Sequence, residues 1–101
     1  MTTTVVAVQI LASGIVQMVG YRAWTARTAR TLGVNGFVRN LHDGRVEIFA
    51  EGDALAVNAL VAKCRQGPQG ASIDDVTTTS RAPRGATAFV QVADAPAADG
   101  A

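Results

Sequence analysis

Two glycine-bounded strings hold the residues whose types and spacing suit chemistry: GIVQMVGYR, from Gly14 to Arg22, and GFVRNLHDG, from Gly36 to Gly44. The first reads as a strand end, a tight loop and an arginine at a helix start. If the loop closes, the main-chain N–H groups of Gln17, Met18, Val19, Gly20 and Tyr21 converge on an anion, and the positive end of the helix adds to the attraction. Arg22 then contributes a planar fork matched to phosphate oxygens. Fixed donors of this kind meet the charge on a transferring phosphoryl group, and such a cradle requires no metal. Asn40, at a strand end before a turn, has another capability: its carboxamide orients a water but is no base near neutrality. An arginine and an asparagine therefore suit an acyl phosphate, whose carboxylate leaving group is a weak base, with the water's proton passing to a phosphate oxygen. They do not suit ordinary alkyl phosphate esters.

The elements that must position these residues follow from periodicity. Residues 5–11 are a β-branched, apolar run ended by Ala12, Ser13 and Gly14, a buried strand feeding the loop. Beyond Tyr21, Trp24, Ala29 and Leu32 share one side of a helical wheel. Arg27 and Arg30 lie away from it as a solvated face, and Gly33 stops the helix. Residues 34–41 and 45–51 flank His42, Asp43 and Gly44, an Asp-Gly hairpin signal, with Val46, Ile48 and Ala50 on the buried face of the second arm. Asp53 caps a second helix in which Val57, Leu60, Val61 and Cys64 recur at i, i+3, i+4 and i+7, and Gly67-Pro68 ends it. Residues 72–79 and 86–92 are two further strands. The order is that of the ferredoxin-like βαββαβ sandwich, an α+β fold with an antiparallel sheet, two helices on one face and a short extra C-terminal strand. That architecture hosts many functions, so the site has to choose among them.

Composition narrows the choice. A chain of 101 residues, 49% hydrophobic and 17% charged, supports one core; residues 1–92 read as a single domain, and residues 93–101, with nothing to bury, as a disordered tail. The start lacks a basic n-region and its apolar run is broken at Gln9, so a soluble cytoplasmic protein is expected, without a membrane partner. One cysteine, Cys64, and one histidine, His42, exclude a disulfide scaffold and a structural zinc site. Cys64 reads as buried filler and His42 as a turn residue. The net charge of +1 hides a basic first half, where Arg22, Arg27, Arg30, Arg39 and Arg45 face only Asp43 before Glu47. With 5% aromatic residues and no RNP-like string, a nucleic-acid partner is not expected.

Taken together, the two strings resemble the acylphosphatase family, whose usual forms are close to GRVQGVGFR and GWVRNLPDG. The resemblance takes in Gly44, Val46, Glu47, Glu51-Gly52, Gly67-Pro68, Ala71 and Val76, and covers residues 5–92. It implies a metal- and cofactor-independent hydrolase acting on a small acyl phosphate and releasing inorganic phosphate, here expected as a monomer. Arg22 matches the arginine that binds the substrate phosphate, and Asn40 the asparagine that positions the attacking water. Two positions depart from the pattern: Ile15 stands where a basic residue is usual, and Met18 where the loop has glycine. If position 18 requires a positive φ, methionine is strained there by roughly 1–3 kcal/mol, and its side chain can narrow the mouth. With ordinary backbone it only adds an apolar lip. The resemblance thus implies weakened but real activity. The alternative is a non-catalytic anion-binding or interaction domain on the same architecture, its cradle closed by Met18.

Overall fold

The computed structural model describes residues 4–97. Along the chain run β1 (Val5–Ile15), α1 (Tyr21–Leu32), β2 (Asn35–Asn40), β3 (Val46–Asp53), α2 (Ala54–Gln66), β4 (Ser72–Arg81) and β5 (Phe89–Gln91). The strands form one sheet in the order β4-β1-β3-β2-β5. Ile10, Ile48 and Val38 stand side by side on three neighbouring strands. They share a core with Ala26 and Ala29 of α1 and Val57, Leu60 and Cys64 of α2, so both helices cover the same face. No helix of the described residues is long and apolar enough to cross a membrane.

The first four strands pair antiparallel as expected, but the sheet is mixed, because β5 runs parallel to β2. The reason is directional: β4 runs opposite to β2, the chain reverses again between β4 and β5, and β5 adds at the β2 edge of the sheet, not at the outer edge of β4. β5 is also shorter than the run 86–92 predicts. The N–H groups of Arg84, Gly85 and Ala86 donate to the Glu51 carboxylate instead, at 3.1, 3.2 and 2.7 Å. These donors, that of Ala86 foremost, hold the Glu51 carboxyl below its ordinary pKa. A depressed folded-state pKa stabilises above the unfolded value and is lost as pH falls through the folded one. Glu51→Gln is therefore expected to lower unfolding free energy by about 1 kcal/mol at neutral pH. The gap to the parent protein should close as pH drops below about 4.3, which denaturant titrations at pH 7 and pH 3 measure.

β1 continues to Ile15, beyond the expected Leu11. A register shift between Ser13 and Gly14 lets the ladder to β4 run on to the end of the strand. Gly14 adopts φ 115, and a Cβ there would collide with the Ser72 carbonyl oxygen. That bulge delivers the chain to the loop. Asp53 sits in the N-cap position of α2 as expected, yet its side chain makes no capping bond. Ala54 N donates to the Thr4 carbonyl instead, at 3.0 Å.

The expected disorder of residues 93–101 does not hold for its first part. Val92 N donates to Val38 O at 3.0 Å, Ala95 N to Asn40 O at 3.0 Å, and His42 N to Ala95 O at 2.9 Å. Main-chain pairing, to which composition is blind, orders this segment without side-chain burial. Residues 98–101 lie outside the described residues. Arg30 is exposed on the face assigned to it, and its Nε and Nη2 also donate to Phe89 O at 3.1 and 2.8 Å, tying α1 to β5.

Candidate active site

Between β1 and α1 the loop alternates in hand. Met18 has φ 62 and Gly20 φ 80, while Val19 between them keeps a negative φ. Such alternation turns successive N–H groups toward one side and makes a concave nest for an anion. Within the described residues, the N–H groups of residues 17–23 donate to no main-chain or side-chain acceptor; the first intrahelical bond is Trp24 N to Gly20 O at 3.0 Å. Gly20 caps α1 without a side-chain bond, and the first turn contains no acidic residue. The positive end of the helix is thus left uncompensated by the protein.

Each residue of the loop has its own part. Gln17 uses its side chain as a staple, Nε2 donating to Leu41 O at 2.8 Å and Arg45 O at 2.9 Å, which locks the loop to the β2–β3 turn. Only its main-chain N–H remains for a ligand. Tyr21 turns its ring into the core, where its hydroxyl donates to Cys64 O at 2.9 Å. Burial raises this phenol far above its ordinary range, so it stays a neutral strut between the start of α1 and the end of α2. Burial likewise pushes the Cys64 thiol up to about 11, an inert filler. Tyr21 too therefore offers the site only its N–H.

Met18 settles into the strained alternative, since its φ of 62 lies in the left-handed region. Its side chain is 101% exposed, however, and stands out from the rim. A cleft of about 120 Å³ opens there, lined by Val16, Met18, Gly20, Tyr21, Arg22, Ala23 and Gln91. A larger groove of about 510 Å³ lies between the helices, around Trp24, Arg27 and Lys63. It contains none of the free N–H groups and is not the site this chemistry needs.

The C-terminal segment touches both Arg22 and Asn40. Arg22 Nη1 lies 3.5 Å from Asp94 Oδ1, with both side chains about half exposed. The next residue, Ala95, bonds the main chain of Asn40. Asn40 ends β2 on the same side as Val38, 7% exposed, and its Oδ1 is buried without a partner. An orphaned buried oxygen costs about 1–3 kcal/mol, so the fold holds this amide at a price in stability. The basic first half is less open than its composition implies: Arg39 pairs with Glu47 at 2.6 Å and Arg45 with Asp43 at 2.8 Å.

A family model described as Acylphosphatase matches residues 8–90. The chain belongs to the acylphosphatase family. An acylphosphatase of Methylococcus capsulatus is 61% identical over 61 residues, 60% of this chain and 66% of that protein. One of Marinobacter nauticus is 55% identical over 67 residues, 66% of this chain and 73% of its own length. The crystal structure of an acylphosphatase from Bacillus subtilis superposes with a TM-score of 0.84 at 33% identity, over 86% of this chain and 98% of that one. The protein is an acylphosphatase-family hydrolase on the ferredoxin-like fold.

Two residues were missed in sequence: Gln91, which lines the cleft, and Asp94, which pairs with Arg22 beside it. Gln91 belongs to β5 and Asp94 to the segment after it. Neither falls in a motif, and both reach the site only through the parallel pairing to β2. At the loop, the departure at position 18 carries a prediction. Met18→Gly relieves the left-handed strain, so unfolding free energy should rise by about 0.5–1 kcal/mol. Benzoyl phosphate turnover should stay within about twofold, because the fully exposed side chain removed stands at the rim and does not fill the cleft. Steady-state assays and chemical denaturation of both proteins measure this.

Proposed function

We propose that this enzyme hydrolyses the carboxyl-phosphate bond of small acyl phosphates, giving a carboxylate and inorganic phosphate. The main-chain N–H groups of Gln17, Met18, Val19, Gly20 and Tyr21 and the guanidinium of Arg22 hold the phosphoryl oxygens. The Asn40 carboxamide orients the attacking water. As the water oxygen bonds to phosphorus and the P–O bond to the acyl group breaks, the electron pair leaves on the carboxylate, and the water's proton passes to a phosphoryl oxygen. No group on the protein has to act as a strong base or acid, in keeping with a site of amides and a guanidinium. The cleft is open to solvent and Met18 stands exposed at its rim, so the acyl part lies there, beside Met18 and toward solvent. This reading therefore extends to broad tolerance of acyl groups. Every group it uses comes from one chain, and it takes the enzyme as a cytoplasmic monomer.

The observation that carries the proposal is the nest at residues 17–20, opening on an uncapped helix start beside Arg22. Its test is hydrolysis of benzoyl phosphate in buffer containing a metal chelator, with inorganic phosphate as inhibitor. Turnover with competitive inhibition is expected. Phosphate binding without turnover would instead favour the non-catalytic anion-binding domain, a reading already opposed by the outward-pointing Met18.

A further inference from the structure

Arg22 is in an electrostatically awkward place. It lies in the first turn of α1, where the helix dipole repels a cation and the turn itself holds no acidic residue. Its side chain is long and about two-fifths exposed, so without a partner it would sample many rotamers away from the cleft. Among the described residues one carboxylate meets it, that of Asp94 at 3.5 Å, and one terminal nitrogen, Nη1, makes the contact. The remaining donors of the fork stay free for two phosphate oxygens. Asp94 is itself held from both sides, since Val92 N donates to Val38 O and Ala95 N to Asn40 O, both at 3.0 Å. One short segment thus grips the guanidinium with a side chain and the main chain of Asn40 with the next residue.

We infer that Asp94 is a positioning residue, which aims the Arg22 guanidinium at the phosphate nest and fixes it relative to Asn40. The inference rests on the proposed roles of Arg22 and Asn40. Asp94 touches no substrate; it acts by restricting where Arg22 points. A carboxylate near an anion site also repels the substrate, so the two effects oppose each other and can be separated by sign. If aiming dominates, loss of the carboxylate lowers turnover; if repulsion dominates, it raises kcat/KM.

The experiment is a double-mutant cycle on the full chain, with benzoyl phosphate as substrate: the parent, Asp94→Asn, Arg22→Ala and the double variant, each with its unfolding midpoint. Asp94→Asn is expected to lower kcat about two- to fivefold, the range of an exposed ion pair, with the midpoint unchanged within a few degrees. In the Arg22→Ala background the same substitution should have no further effect on the residual rate. Asp94→Glu should recover part of the loss. Unchanged kinetics for Asp94→Asn, an increase in kcat/KM, or an equal fold-loss in both backgrounds would overturn the inference. Parental turnover in Arg22→Ala would instead overturn the underlying assignment of Arg22, and the two failures are thereby distinct.

Discussion

Arg22→Ala is expected to lower kcat/KM for benzoyl phosphate by about 10³-fold, the scale on which a transition-state guanidinium or a preorganised donor acts. Both parameters should move, because the guanidinium holds the ground-state phosphate and meets the charge that develops on it. Stability should not fall with activity. The first turn of α1 disfavours a cation by about 0.3–1 kcal/mol, and the pair to Asp94 is half exposed, so removing the side chain leaves the fold about as stable as before. Arg22→Lys keeps the charge but not the planar fork, and should recover only a small part of the rate. Steady-state kinetics with thermal unfolding on the three proteins decide this.

Asn40→Ala should separate the two parameters. The carboxamide is assigned to the water, not to the phosphate, so kcat is expected to fall about 10²-fold with KM within about threefold, the pattern of an interaction made in the transition state. The buried, unpartnered Oδ1 makes the accompanying stability change informative. Truncation removes an orphaned acceptor that costs about 1–3 kcal/mol, offset by the small cavity it leaves. The variant should unfold no more easily than the parent. A fall in both activity and stability would instead identify Asn40 as a structural strand end.

Much of this was legible in the chain because local patterns and tertiary packing agree. The apolar stripe of α2 at Val57, Leu60 and Cys64 is buried where its period puts it, as are Val46, Ile48 and Ala50 of β3, but that strand, expected to be buried mainly on one face, is covered on both, with Glu47, Phe49 and Glu51 buried as well. Gly20 falls at the start of α1 and Gly44 in the β2–β3 turn, whereas Gly14 and Gly36 lie within β1 and β2. What escaped was non-local. The direction of β5 depends on which sheet edge it joins, and the ordering of residues 92–95 on main-chain bonds to Val38, Asn40 and His42, neither written in local composition. Asp94 and Gln91 stayed hidden for that reason. The side-chain staple of Gln17 and the core-facing ring of Tyr21 were hidden too, since a loop's N–H groups can be counted from sequence but the directions of its side chains cannot. Position 18 lay between these cases: both backbone conformations were open, and the alternating hand of the nest, which needs a positive φ there, decided between them.

The central claim, that the loop of residues 17–21 with Arg22 forms the phosphate site, is tested most directly by titrating inorganic phosphate into the isotope-labelled protein and following its amide and guanidinium resonances. Saturable shifts are expected, concentrated at the N–H groups of Gln17, Met18, Val19, Gly20 and Tyr21 and at Arg22, with smaller ones at Asn40 and Asp94. Shifts confined to the interhelical groove around Trp24, Arg27 and Lys63, with the loop unmoved, would contradict it.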